Sequence, residues 1–440
     1  MRMLLLGMLV VVFASRVVAE PLASWRDGEA KQAIIDFVGR VTDERSEDFV
    51  PVSERIAVFD NDGTLWCENP VPHQAAFAFA EVQRLLPTEP AWKDDPAVQA
   101  LIRGDQQALM DDHHRGLLQI LALTHAGITV DEFQRRVDRW LSTARHPRFA
   151  LPYTDTTYQP MLEVLDYLRE HGFETWIVSG GGQDFMRVFA EQTYGIPPQQ
   201  VIGSHGQLEY QLKAGKPTLH KTLDTLFVDD REGKPVAIQQ FIGRRPIACF
   251  GNSDGDQAML EYTTIDNPRP SLGMIVHHTD GDREYAYDAQ PESTGKLVTA
   301  LEAAPQRGWV VADIKKDWKQ VFPNAEQDEG LLGTSWQVRE IDRVVVKPPF
   351  EATLDFSDEG QVSGSSGVNR YTGQAKIEGT QIRFGPLASS RMAGPPELMR
   401  EEQRFLEALS KVTHYRMLSN QRLALRNEHD IAVVTLARRP

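Results

Sequence analysis

Three short, largely apolar runs stop abruptly at polar clusters, and that repeated pattern narrows the possible folds of this 440-residue chain more than any other feature. Ile56–Phe59 ends at Asp60-Asn61-Asp62-Gly63-Thr64. Phe173–Val178 ends at Ser179-Gly180-Gly181-Gly182, and Pro246–Phe250 at Gly251-Asn252-Ser253-Asp254-Gly255-Asp256. Helical spacing fills the intervals, as in Met161–Arg169, where Met161, Leu162, Leu165 and Leu168 share a face before His171-Gly172. Short buried strands alternating with helices specify a parallel sheet covered on both faces, an α/β fold. Ligands meet such sheets at the carboxyl ends of the strands, which is where all three polar clusters fall.

The interval between the first two runs is about a hundred residues long and carries helical signals of its own. Thr129-Val130-Asp131-Glu132 is a capping box, and Val130, Phe133, Val137, Trp140 and Leu141 then share a face. So long a segment exceeds a crossover and is expected to be a helical lid, about residues 67–155, with its aromatic stripe as core. DDHHRG, with His113 and His114, reads as a turn without a metal role. From Pro323 the composition turns polar and acidic, so residues 323–330 read as a linker. Beyond it come the short runs Ala352–Phe356, Ile382–Phe384, Leu423–Leu425 and Ile431–Leu436, with one helix, Glu397–Leu409, and an expected bend at Ser363–Gly367. Residues 331–440 are therefore expected to be a small, mostly β (α+β) domain.

Met1–Ala19 has the layout of a secretory signal: Arg2, an apolar run from Met3 to Ala14, then small residues. The run falls short of the ~20 residues of a membrane span. No stable membrane insertion is expected after cleavage, and the location is read as periplasmic or secreted. Cleavage after Ala19 leaves 45 Lys and Arg against 62 Asp and Glu, a net charge of −17. That sign repels nucleic acid backbones, so no nucleic acid partner is expected. Cys67 and Cys249 are too few for a disulfide framework and are expected to be buried free thiols.

A turn needs only one Asp or Asn with its glycine, so ending a buried strand on both Asp60 and Asp62 calls for another reason. Joined by a Ser at a second strand end, a Lys entering a helix and acidic residues at a third, the pair completes the parts for phosphoryl transfer through an aspartyl-phosphate. One carboxylate attacks phosphorus. The second protonates the leaving oxygen and then activates water. Backbone, Thr, Ser and Lys donors hold the phosphate oxygens, and a divalent cation offsets the repulsion between two anions.

On these motifs residues 25–320 resemble the haloacid dehalogenase superfamily, in its phosphatase branch with a helical cap, like phosphoserine phosphatases. The resemblance implies a Rossmann-like parallel sheet with the cap inserted after the first motif, in a unit spanning 20–322. It makes Asp60 the nucleophile and Asp62 the general acid/base, with the Asp62 carbonyl also facing Mg²⁺. Thr64, Ser179 and Gly180 become phosphate-binding residues. Lys234 in GKPVAIQQFIG becomes the motif-three lysine, catalytic and phosphate-binding, better placed than Lys216 or Lys221. The fourth motif departs from the commonest form, with Asn252 where an Asp is expected and Asp254 added. The metal candidates are Asp60, Asp62, Asn252, Asp254 and Asp256, the last as second ligand or as partner of a metal-bound water. Asp62 favours a phosphatase over a dehalogenase. Trp66 and Cys67 are expected to line the cavity, whereas Glu68, His73 and Arg148 read as structural or solvated. Adjacent His277 and His278 would point to opposite faces of a strand and cannot share an ion.

Residues 331–440 resemble the META domain of bacterial envelope and heat-shock proteins, through LLGTSWQV, ATLDFSDEGQVSGSSGVNRYTG and FGPLASSRMAGPPELMREEQRFLEAL. Val368 and Gly394 stand where many members carry Cys, so no disulfide is expected there. Asn369, Arg370 and Arg391 are read as supporting turns, and the domain's partner stays open. The whole reads as an exported Mg²⁺-dependent phosphatase acting on a small phosphorylated molecule. Its alternatives are a phosphotransferase with the same intermediate, or a non-catalytic envelope binding or stress protein.

Overall fold

The computed structural model describes residues 20–222, 226–291, 294–323, 330–342, 344–419, 422–429 and 431–439. The expected signal segment, 1–19, and residues 324–329 of the expected linker lie outside the described residues.

In chain order the first eight strands are β1 (Ile56–Phe59), β2 (Glu174–Gly182), β3 (Val201–Ser204), β4 (Leu208–Lys213), β5 (Lys216–Lys221), β6 (Ala248–Gly251), β7 (Leu272–His277) and β8 (Val310–Asp313). Six of them form a parallel sheet in the order β3-β2-β1-β6-β7-β8. Strand direction of travel across the sheet reverses between β1 and β6, and ligands of open α/β sheets bind at that point. β1 shows why the sheet is covered on both faces. Ala57 and Phe59 belong to one hydrophobic cluster, Ile56 and Val58 to another, and all four are buried. Phe59 lies flat on Phe250 of the neighbouring β6, ring centroids 4.4 Å apart. Burying two such side chains contributes about 1.5–3 kcal/mol each, which fixes the two strand ends beside each other. β4 and β5 make a separate antiparallel hairpin that the sequence reading did not anticipate.

The segment after β1 is helical, with helices His73–Leu85, Pro96–Arg103, Gln106–His125 and Val130–Thr143. Ala78, Val82, Val98, Leu109 and Ile120 give it a core of its own. DDHHRG is not a turn. It lies inside Gln106–His125, which starts where the Asp105 side chain accepts from Ala108 N. Thr129 caps Val130–Thr143 through Glu132 N at 3.1 Å, and Phe133, Val137 and Leu141 are its buried face.

The remaining strands are β9 (Ser335–Ile341), β10 (Val344–Val345), β11 (Thr353–Phe356), β12 (Gln361–Ser365), β13 (Arg370–Glu378), β14 (Gln381–Phe384), β15 (Ala388–Ser389), β16 (His414–Ser419), β17 (Arg422–Arg426) and β18 (Ala432–Arg438). Pairing runs β9-β11-β12-β13-β14-β16-β17-β18 and closes through β18–β9, an antiparallel barrel. Helix Pro396–Ser410 sets Phe405, Ala408 and Leu409 against the barrel core. The expected bend at Ser363–Gly367 is corrected: its first residues belong to β12. Gly364 is what admits the strand, since a Cβ there would come within 2.1 Å of the Thr353 carbonyl oxygen on β11.

The barrel holds the first unit through three arginines. Arg422 donates to the carbonyls of Glu191, Gln192 and Thr193, at the end of helix Ala190–Tyr194. Arg416 and Arg426 meet the buried carboxylate of Asp155, at the chain's return from the helical insert. Cys67 N donates to Thr156 O at 2.9 Å, so the two strands of chain that carry the insert lie side by side there.

Candidate active site

At the end of β1, Asp60 N donates to Phe250 O at 2.9 Å. The chain then tightens: the Asn61 carbonyl accepts from Thr64 N (3.2 Å) and Leu65 N (2.8 Å), and Gly63 takes a φ of 74°. Only glycine fits, since a Cβ at 63 would lie 2.0 Å from Asn252 Nδ2. Asp60 is 6% exposed under the helical insert.

Lys234, in helix Gly233–Ala237, is the buried cation of the site. Its three protons go to Asp60 Oδ1 (2.8 Å), Asp256 Oδ1 (2.6 Å) and Val178 O (3.0 Å). Burial works against its charge, but Asp256 and Asp60 outweigh burial and hold its pKa above the ordinary lysine value. The pKa of Asp60 is raised as well, which for a carboxylate favours the neutral form. Burial raises it well above the usual carboxylate range, Lys234 pulls it back, and Asp256 and Asp62 raise it again. Asp62 is raised to about 7, first by burial, with the Trp66 indole N–H (2.6 Å from Oδ1) opposing and Glu68 adding.

Ser179 and Asp62 converge on Gly181. A Cβ there would stand 3.4 Å from Asp62 Oδ2 and 3.6 Å from Ser179 Oγ. β2 runs past Ser179 to Gly182 with a register shift, which turns the glycine backbone toward the insert. Gly182 N donates to Gln74 Oε1 of helix His73–Leu85 at 2.6 Å, while the Gly180 carbonyl accepts from Ser204 Oγ. Thr64 Oγ1 donates to Asn252 Oδ1 at 3.2 Å.

Two metal candidates have other tasks. Asp254 Oδ1 accepts from Val298 N (2.8 Å) and Ala300 N (3.1 Å), so its carboxylate caps helix Thr299–Arg307, a contact set 44 to 46 residues away in the chain. Asp256 uses Oδ1 on Lys234 and Oδ2 on Asn252 N, Ser253 N and Ser253 Oγ, so it braces the loop and the lysine.

Sequence reasoning missed the support beneath Gly63. His278 Nε2 donates to the Gly63 carbonyl (2.7 Å), and its Nδ1 faces Glu284 Oε2 (3.1 Å). Burial acts against the imidazolium, but Glu284 outweighs it and holds His278 above the ordinary imidazole value. Cys67 and Tyr158 both donate to Glu284 Oε1. His73, by contrast, is buried against Trp66 with both ring nitrogens unpartnered, and burial drives its pKa well down. Arg148 donates to the Gly281 carbonyl and lies over Tyr285, a packing role.

Asp229 is a further acid that no motif or spacing marks. It is fully buried, neither carboxylate oxygen has a well-formed hydrogen bond, and burial, opposed by Lys234, pushes it up to about 7. The folded chain keeps this proton where an unfolded Asp, near 3.9, has lost it. Its stabilising contribution is full below about pH 4 and is lost as pH rises through 7. Between pH 5 and pH 8 the wild type should lose about 2–3 kcal/mol more unfolding free energy than Asp229→Asn. Urea unfolding at the two pH values checks this, and parallel losses would contradict it.

Residues 57–261 match the haloacid dehalogenase-like hydrolase family, and residues 329–440 match the META domain. The chain is a haloacid dehalogenase-like hydrolase domain followed by a META domain. No curated protein matches it. Among solved structures it is similar to a functionally unknown protein from Anaerococcus prevotii, at 16% identity and TM-score 0.38, over 61% of this chain and 96% of that one. A phosphoserine phosphohydrolase-like protein from Francisella tularensis is also similar, at 16% identity and TM-score 0.29, over 50% and 87%. A protein from Burkholderia xenovorans, solved by NMR, covers 27% of this chain and 89% of its own at 26% identity and TM-score 0.23.

At the switch point the hydrolase domain offers side-chain oxygens on Asp60 and Asn252. Mg²⁺ takes hard oxygen ligands, often one or two carboxylates beside waters and phosphate. Among the described residues no three Asp, Glu, His or Cys side chains form a metal-holding group, and the oxygens on hand are the Asp60 carboxylate and the Asn252 amide. The upward push on Asp60 is relieved by positive charge beside it. The residues fit the ion.

Proposed function

We propose that the hydrolase domain is a Mg²⁺-dependent phosphatase for small phosphate monoesters, working through an aspartyl-phosphate on Asp60. The observation that carries this reading is the Lys234 bridge. Lys234 ties Asp60 Oδ1 to Asp256 and to the Val178 carbonyl of β2, so the carboxylate is held at the strand ends that also carry Asp62 and Ser179, which converge on Gly181. Bound Mg²⁺ would lie with Asp60, the Asp62 carbonyl and Asn252, and supply charge that neutralises phosphate and nucleophile together.

The free oxygen of Asp60 attacks phosphorus, and the bond from phosphorus to the ester oxygen breaks. Asp62, protonated at its raised pKa, gives its proton to the departing alkoxide. Now ionised, Asp62 takes a proton from water, whose oxygen attacks the phosphorus of the acyl phosphate and breaks its bond to the Asp60 oxygen. Inorganic phosphate leaves, and both carboxyl groups return to their starting states. The Ser179 hydroxyl and the Gly180 backbone are the donors for phosphate oxygens, while the Thr64 hydroxyl, expected to join them, gives its one proton to Asn252 Oδ1.

Asp62→Asn tests the acid step, because the amide still accepts from Trp66 but carries no acidic proton. Turnover of an alkyl phosphate should fall about 10²–10⁴-fold, and turnover of p-nitrophenyl phosphate, whose leaving group needs no proton, should fall less in its first step. Equal losses on both esters in single-turnover measurements would remove Asp62 from that role.

Export is part of the same proposal and rests on Met1–Ala19. Sequencing the N-terminus of the protein from the expressing cell's envelope fraction tests it. Among the described residues no helix is long and apolar enough to cross a membrane. The net negative charge argues against a nucleic acid partner.

A further inference from the structure

Position 252 holds an amide where the resemblance leads one to expect a carboxylate, and an amide has a wrong way round. Its oxygen can meet a cation, and its NH₂ cannot. Something must therefore fix the rotation of the Asn252 side chain. Asn252 Nδ2 donates to Glu68 Oε1 at 2.7 Å, and Asn252 Oδ1 accepts from Thr64 Oγ1 at 3.2 Å. Glu68 is held in turn by Tyr287 OH on Oε1 and Thr294 Oγ1 on Oε2, both at 2.7 Å. It is 3% exposed. Gly63 and Gly295 wall it in, since a Cβ on either would come within 2.4 Å or 2.2 Å of Oε1. Three donors on two oxygens leave this carboxylate as an acceptor, and an acceptor draws only the NH₂ side of the amide.

We infer that Glu68 is a positioning residue that turns the Asn252 amide oxygen into the divalent-cation site. It stands at the start of the helical insert, 184 residues before Asn252, while its clamps Tyr287 and Thr294 come from the segment after β7. The three meet only in the folded domain, so the insert is tied to the cation site through its first turn of chain. This inference rests on the metal-dependent reading above, but it concerns binding of the ion and not turnover.

The experiment is titration of the metal-stripped full chain with Mg²⁺ by calorimetry, and with Mn²⁺ by electron paramagnetic resonance, no ester present. Glu68→Gln presents an amide to an amide, which can pair either way round, so cation affinity should fall about 10–100-fold. In an Asn252→Asp background the same change should cost no affinity, because a carboxylate has two equivalent oxygens and needs no orienting. An unchanged affinity in Glu68→Gln, an equal loss in both backgrounds, or a wild type that binds neither ion overturns the inference. If Glu68→Gln does not fold by circular dichroism, Tyr287→Phe takes its place, with a several-fold loss expected in the Asn252 background alone and no loss overturning the idea. A wild type that binds Mg²⁺ and shows the Glu68 effect but hydrolyses no ester upholds this inference and sinks the phosphatase reading instead.

Discussion

Asp60→Asn should abolish turnover while leaving the protein folded. The substitution keeps the size of the side chain and its place beside Lys234, which retains Asp256 and the Val178 carbonyl as partners. What it removes is the attacking oxygen anion, and with it the covalent route. Nucleophile removal in enzymes of this kind of chemistry leaves only binding and electrostatic assistance. A loss of at least about 10³-fold in kcat is expected on p-nitrophenyl phosphate with Mg²⁺, to the level seen with EDTA. Acid quench after mixing with a radiolabelled ester should leave label on the wild-type chain and none on Asp60→Asn. Label on both, or hydrolysis by both, would mean that phosphorus is attacked elsewhere.

Lys234→Met should damage both stability and activity. The methionine fits the volume but leaves Asp60 and Asp256 buried with their cation gone. Removing one partner of a buried ionic cluster typically costs about 3–5 kcal/mol, more than an exposed pair by several-fold. The sign with pH follows from Asp60. With Lys234 absent the pKa of Asp60, already raised by burial, rises further, so the folded variant takes up a proton that the unfolded chain lacks at neutral pH. The deficit relative to wild type should therefore be largest at pH 8 and shrink toward pH 5. Guanidinium unfolding at both values measures it, and a deficit independent of pH would show that the lysine is not what opposes the upward push of burial on Asp60. Turnover should be lost as well, because Asp60 Oδ1 is no longer fixed.

The strand ends carrying Asp60, Ser179 and Asn252 were legible because each closes a run whose alternate residues must be buried on opposite faces. Ile56–Phe59 was read with the same bounds that the structure gives it. What escaped was set by contacts far apart in the chain. Asp254 looks like a turn acid or a ligand until Val298 and Ala300, more than 40 residues on, bring it their backbone N–H groups. His278 reaches Gly63 across 215 residues, and no spacing in the sequence announces that pairing. The hairpin of β4 and β5 did leave a trace. Lys213 pairs with Lys216 around Ala214-Gly215, both at positive φ, a two-residue turn of the type that favours Asn-Gly; alanine in the first place hid it. In the META domain, Gly364 made a strand residue look like a bend for the same reason that it is needed there.

Closure of the barrel through β18 on β9 also imposes an order in time. Chains leave the ribosome N-terminus first, and early domains fold before late ones exist. The parallel sheet has all its strands by Asp313, about 120 residues before β18 begins at Ala432. Until residue 416 is made Asp155 has neither Arg416 nor Arg426, and the return strap of the helical insert lacks its arginine partners. A nascent hydrolase domain is thus assembled before it is fastened. A product broken off before β18 would present β9 and β17 as bare edges, the kind of surface on which incomplete chains find one another.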